Sequence, residues 1–212
     1  MISTSIIGYH TCNDRGGYEF ICNSIPFLSE PGEDQWLTQG YYFWTDSPYW
    51  AENWNRGRPN VIGKFIVSFD EKHKFLDLVG NVSHQEEFEE LKGVVLEEME
   101  ITDSFSITVN QIISFFREHS SSDDERFSGF FDYVAIKAQD ERYVSIVDFI
   151  EPKTVVDRIT GKPKTMRAKL RLRTRQQLCV FSEGRGCIKF SGFHHPQTYQ
   201  ERFMTIENGS SI

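Results

Sequence analysis

Gly40-Tyr41-Tyr42-Phe43-Trp44 sets four aromatic side chains in a row behind a glycine, and Thr45-Asp46-Ser47-Pro48 follows at once. The aromatic run reads as a strand and the next four residues as a helix start, with an Asp or Ser cap and a proline in the first turn. The helix is expected to run to about Asn55, carrying Tyr49, Trp50 and Trp54. Other segments fall in order around this junction. Residues 2–10 alternate loosely and are β-branched enough for a strand ending at His10. Tyr18 to Ile25 reads as a short helix stopped by Pro26, and Phe27 to Gln39, holding Pro31, Gly32, Glu33 and Asp34, reads as a loop able to cover a cleft.

Val61 to Phe69 and Phe75 to Leu78 are expected strands, the first with Ile62, Phe65 and Val67 inward. Glu86 to Met99 and Thr108 to His119 are expected helices, the second marked by Val109, Ile112, Ile113 and Phe116 at helical spacing. After a polar break at 120–124, strands are expected at 131–137, 143–149, 168–175 and 177–181, and again at Cys187 to Phe190 beyond a turn at 183–186. The fold class is therefore α+β. One domain over residues 1–190 is expected, with a helical insertion at about 84–120 and a weakly specified tail at 191–212.

Length and composition suit one well-buried core: 212 residues, 39% hydrophobic, with 18 Phe. No apolar run approaches the roughly 18–20 residues of a spanning helix, and Met1 to Ile7 is too short and too uncharged for a signal peptide. A soluble, cytoplasmic protein with no membrane partner is the expectation. Cys12, Cys22, Cys179 and Cys187 lack metal-site spacing, so reduced and mostly buried thiols are expected. The net charge of -8 argues against whole-protein attraction to nucleic acid, but the charge is polarised. From Glu86 to Asp103 eight acidic residues stand against Lys92 alone, whereas Lys162 to Arg175 carries seven basic residues and no acidic one.

Gly8-Tyr9-His10-Thr11 and Gly40-Tyr41-Tyr42 together offer ring nitrogens from one strand end and a flat face from another. These are the groups a ribose and an aromatic base need. The glycines allow close backbone approach or a bent strand end. Each segment alone also suits an ordinary strand whose rings fill a core.

Taken in order, Tyr9-His10-Thr11-Cys12, Thr38-Gln39-Gly40-Tyr41-Tyr42-Phe43 and Trp50-Ala51-Glu52-Asn53-Trp54 resemble the ADP-ribosyltransferase fold. The likeness is to its His-Tyr branch, which includes diphtheria-type toxins and poly-ADP-ribose polymerases. Phe131-Asp132-Tyr133-Val134, the segment Gln177 to Glu183 and Cys187-Ile188-Lys189-Phe190 are similar to further segments of small bacterial members. The resemblance implies a split β-sandwich of two antiparallel sheets with peripheral helices, and NAD as substrate. His10 would bond the nicotinamide-side ribose, the Thr11 backbone would hold the carboxamide and Tyr42 would stack on the ring. Trp54 would be the second stacking wall or else a core anchor, and Tyr41 and Thr45 would complete the NAD contacts. No metal is required, because the leaving group is already cationic and the protein mainly orients, desolvates and stabilises developing charge.

Two positions depart from the family pattern. Thr11 stands where glycine is usual, and Gln177 stands where polymerising members carry Glu. An amide accepts a hydrogen bond but takes no proton, so single transfer is implied, with His10, Tyr42 and Gln177 as the catalytic set. Glu183 is expected at the surface.

Arg167, Lys169, Arg171, Arg173 and Arg175 recur with period two and are expected on one strand face. That ladder reads either as a solvated edge strand or as a grip on the phosphate backbone of a macromolecular acceptor, with a base of RNA or single-stranded nucleic acid favoured. The family setting implies a toxin of a toxin-antitoxin or phage-defence system, with an antitoxin protein as a partner; the acidic stretch 86–103 reads as its dock or as a solvated helix face. Protein modification, NAD glycohydrolysis and a catalytically degenerate RNA- or protein-binding module are the competing readings.

Overall fold

A computed structural model describes residues 4–32, 35–54, 60–120 and 125–209 of the chain. Glu33 and Asp34 of the expected loop, Asn55 at the expected helix end and the polar break at 121–124 lie outside them, as do 1–3 and 210–212. The elements run β1 (Thr4–Asn13), α1 (Gly17–Ser24), β2 (Tyr41–Thr45), α2 (Tyr49–Asn53), β3 (Asn60–Phe69), β4 (Phe75–Asp77), α3 (Val82–Glu98) and α4 (Val109–Ser120). There follow β5 (Ala135–Asp140), β6 (Ser145–Asp148), β7 (Lys153–Val156), β8 (Pro163–Met166), β9 (Lys169–Leu172), β10 (Arg175–Val180), β11 (Ile188–His195) and α5 (Gln197–Gly209). The class is α+β. Among the described residues no helix is long and apolar enough to cross a membrane.

Two compact units divide the chain, one from Met1–Ala138 with Gln176–Ile212 and one from Gln139–Arg175. The larger is built on a seven-stranded sheet in the order β11-β3-β1-β2-β10-β5-β4. Strand alternation sends Phe43, Phe65, Leu178 and Val180 to one face, where Tyr18 and Ile21 of α1 join them, with Tyr199 and Phe203 of α5 packed alongside. Leu76, Ile136, Cys179 and Phe181 go to the other face, against Phe88, Leu91 and Val95 of α3 and Ile112, Ile113 and Phe116 of α4. Asn81 caps α3 by accepting from the Ser83 and His84 amides.

Three expectations change. The two antiparallel sheets are one mixed sheet, because β4 and β5 pair in parallel. Its middle seam is short: β1 and β2 pair only at Gly8↔Thr45 and Tyr9↔Trp44, whereas β1 stays paired with β3 to Asn13. Residues 191–212 are no loose tail, since β11 continues to His195 along β3 and α5 packs Tyr199 and Phe203 against Phe193. Of the segment 131–137, only the part from Ala135 is strand.

The smaller unit holds two two-stranded sheets, β6 with β9 and β7 with β8. β7 and β8, which the sequence reading missed, are exposed throughout and show no alternation of burial.

Candidate functional site

The short seam between β1 and β2 makes the site. Antiparallel partners share a face, so Tyr9, Trp44 and Gln177, paired across three strands, point the same way, as do Tyr42 and Cys179. Beyond Tyr9 the pairing stops, and His10 and Tyr42 face one another across unpaired backbone. A cavity of about 220 Å³ lies there, lined by His10, Thr11, Tyr42, Phe43, Trp44, Trp54 and Gln177, with Ser29, Gln35 and Trp36 from the 25–40 loop.

His10 is a clip. Its Nε2 accepts from the Phe27 amide at 3.2 Å, so the ring proton sits on Nδ1 and is donated to the Tyr42 carbonyl at 3.0 Å. Phe27, Phe43 and Phe65 surround the imidazole, and burial pulls its pKa down to about 4, which keeps the ring neutral at pH 7. Both nitrogens are thus occupied by main chain. A ligand hydroxyl reaches Nε2 only by replacing the Phe27 amide, the longer of the two bonds.

The Tyr42 hydroxyl ties the loop to β2, donating to the Thr38 carbonyl at 2.7 Å and accepting from the Leu37 amide at 3.0 Å. Burial raises its pKa, so it stays protonated. From α4, Arg117 donates to Thr38 Oγ1 and the Gln39 carbonyl and lies 4.2 Å from the Phe181 ring centre. This braces Thr38 in its left-handed conformation, φ 66°. Tyr42→Phe keeps the ring and orphans the Leu37 amide, which lies in the core. A loss of about 1–2 kcal/mol in urea unfolding is expected, whereas an unchanged midpoint would mean that water replaces the hydroxyl.

Trp54 follows α2 in extended backbone, is 46% exposed and meets Trp44 at 5.3 Å between ring centres. It is a cavity wall rather than a core anchor. Trp50 also packs on Trp44, and neither Trp50 nor Tyr49 lines the cavity. The expected cap of α2 changes too: Pro48 occupies the cap position, and Ser47 Oγ accepts from the Tyr49 amide.

Tyr41 and Thr45 are corrected. Period two turns them away from Tyr42, and neither lines the cavity. Tyr41 packs on the opposite face, where the Arg185 guanidinium lies 5.4 Å from its ring centre, and the Thr45 hydroxyl reaches Gln176 Oε1 at 3.5 Å. Glu183 falls beyond the end of β10, half-exposed and 3.7 Å from Arg117. It lines a separate cavity of about 650 Å³ with Gln35, Gln39, Asn110 and Arg117.

The basic ladder is also corrected. β9 ends at Leu172, and Arg173 takes φ 58°, so the alternation of the sequence does not continue as one strand face. Arg175 belongs to β10, is 6% exposed and grips Asp140 through two guanidinium nitrogens. Arg171 pairs with Glu141 at 2.7 Å and Arg167 with Asp148 at 3.5 Å. Lys169 and Arg171 alone share a face within β9.

The sequence reading missed Trp44, Trp36, Ser29 and Gln35. Trp44 was accessible to it, two residues from Tyr42 on the same strand face; the other three come from a loop with no period. Cys12 and Cys179 are free thiols held up at about 12 by burial. No family model, curated protein or solved structure matches the chain.

Proposed function

We propose that the chain is an NAD-dependent ADP-ribosyltransferase that binds nicotinamide in the cavity between β1 and β2. One observation carries this: His10, Thr11, Tyr42, Trp54 and Gln177, far apart in sequence, line one cavity where two neighbouring strands part. About 220 Å³ lies below the ~300–1,000 Å³ of pockets that enclose a whole drug-sized ligand, so the cavity suits one ring with its amide and leaves the rest of a dinucleotide outside. Tyr42, Trp44 and Trp54 supply flat apolar walls.

In the proposed reaction the bond from ribose C1′ to the nicotinamide nitrogen breaks, and its electron pair leaves with the neutral amide ring. The acceptor bonds to C1′ and gives up a proton. No carboxylate lines the cavity, so the proton passes to solvent or to a base brought by the acceptor, and Gln177 serves through its carbonyl as an acceptor for a ribose hydroxyl. His10 Nε2 would exchange the Phe27 amide for the other ribose hydroxyl. One ADP-ribose is transferred per acceptor site.

The acceptor reading favours nucleic acid, because the unit 139–175 carries ten Lys and Arg against five Asp and Glu. With Arg167, Arg171 and Arg175 in ion pairs, the attraction rests chiefly on cations such as Lys162, Lys164 and Lys169. A second reading, a binding module without catalysis, is favoured by the occupied nitrogens of His10 and by the amide at Gln177.

Incubation with NAD labelled in the adenosine half separates them. Nicotinamide release with label on RNA is expected, and Tyr42→Ala should lower the rate roughly 100-fold by misplacing the ring. Label on protein would move the acceptor to a protein, and nicotinamide release without label would mean a glycohydrolase. Absence of both NAD binding and nicotinamide release would sink the enzyme reading.

A further inference from the structure

Thr11 follows His10 on β1 and pairs with Ile62 of β3. Alternation puts its side chain on the face of Tyr9, and hence of Trp44 and Gln177, where it lines the cavity. Its hydroxyl oxygen is sealed from solvent and has no hydrogen-bond partner among the described residues. Buried hydroxyls are normally satisfied, and one that is not weakens the fold. Valine has the same branched outline, favours strands at least as well and carries no orphan. The neighbouring walls Tyr42, Trp44 and Trp54 offer ring faces, which satisfy no hydroxyl in full.

We propose that Thr11 Oγ1 is a specificity group of this cavity, unpaired in the ligand-free protein because it is completed by the carboxamide of a bound aromatic ring. A hydroxyl both gives and accepts, and a primary carboxamide offers an NH2 donor and a carbonyl acceptor. A ring without a polar substituent leaves the hydroxyl unpaired, so the site discriminates for the amide and not merely for the ring. The identity of the ring rests on the nicotinamide reading above; the role of the hydroxyl rests on its burial and its missing partner.

The test titrates wild type, Thr11→Val and Thr11→Ser with nicotinamide and with 3-methylpyridine, followed by ligand-observed NMR, alongside thermal melting without ligand. Thr11→Val is expected to bind nicotinamide roughly 3- to 10-fold more weakly, the worth of one neutral hydrogen bond, with 3-methylpyridine unaffected. Thr11→Ser restores the preference, and Thr11→Val melts no lower than wild type. The proposal is overturned if Thr11→Val keeps wild-type affinity for nicotinamide, if both probes weaken together, or if the variant melts lower, which would reveal a protein partner for the hydroxyl. Wild-type protein that binds neither probe overturns the nicotinamide reading itself, and the inference falls with it.

Discussion

Gly40→Ala is expected to destabilise the larger unit by about 3 kcal/mol, the upper end of the usual range for overpacking a tight site. An added Cβ would stand 2.7 Å from the Val180 carbonyl oxygen and closer still to Cys179 Sγ. Neither neighbour can yield easily. Val180 and Cys179 are paired in β10 with Tyr41 and Tyr42, and Ser29 holds Gly40 from the other side through both its amide and its carbonyl. Relief therefore requires β2 to draw away from β10, which moves Tyr42 and Trp44 together. Urea unfolding reads the stability loss. Combining the change with Cys179→Ala removes the thiol and leaves the carbonyl, so the double variant should remain less stable than Cys179→Ala alone. A Gly40→Ala protein with wild-type stability would mean that the strands tolerate separation and that Gly40 has no steric role.

The same glycine shows what a sequence can disclose about this fold. Gly40 before an aromatic run and Pro48 after it mark β2 and α2 by local chemistry, and α1 ends at Ser24 where Pro26 forbids continuation. Such signals need no tertiary knowledge. β7 and β8 have none, being exposed on both faces, and α5 buries few of its side chains, so its apolar stripe is thin. The basic ladder failed differently. Its period continues through Arg173 in the sequence, but the backbone turns there, and a period of two cannot report a positive φ.

In the candidate site the side chains were legible and their bonds were not. His10, Tyr42 and Gln177 stand out by order and residue type, yet the partners of the imidazole are the Phe27 amide and the Tyr42 carbonyl, main-chain groups that every residue carries. Choosing Tyr42 over Tyr41 depends on which face of β2 meets the opening, and that is fixed by the Cys179↔Tyr42 register. The opening itself arises because β1 and β2 stop pairing after Tyr9, a property of two strands at once.

Acid should loosen the larger unit through His10. Burial lowers its folded-state pKa from 6.5 to about 4, whereas the unfolded chain binds the proton near 6.5. Between those values the unfolded state holds more protons, so stability is fully present above about pH 6.5 and falls as the pH drops toward 4. The shift corresponds to roughly 3 kcal/mol across that window, and no further loss from this residue follows below it. The imidazolium also has a proton on Nε2, which would then confront the Phe27 amide donor, while the Nδ1 bond to Tyr42 survives. The clip should therefore open at Phe27 first. Urea unfolding of wild type and His10→Gln at pH 7, 5.5 and 4.5 isolates the effect, because the amide cannot titrate and the carboxylates are common to both proteins. The variant is expected to be the less stable at pH 7 and to lose less stability on acidification. Accelerated exchange of the Phe27 amide in wild type at pH 4.5 should accompany the loss. Parallel pH profiles for the two proteins would show that His10 is solvated rather than sealed, and with that the clip between β1, β2 and the loop would lose its physical basis.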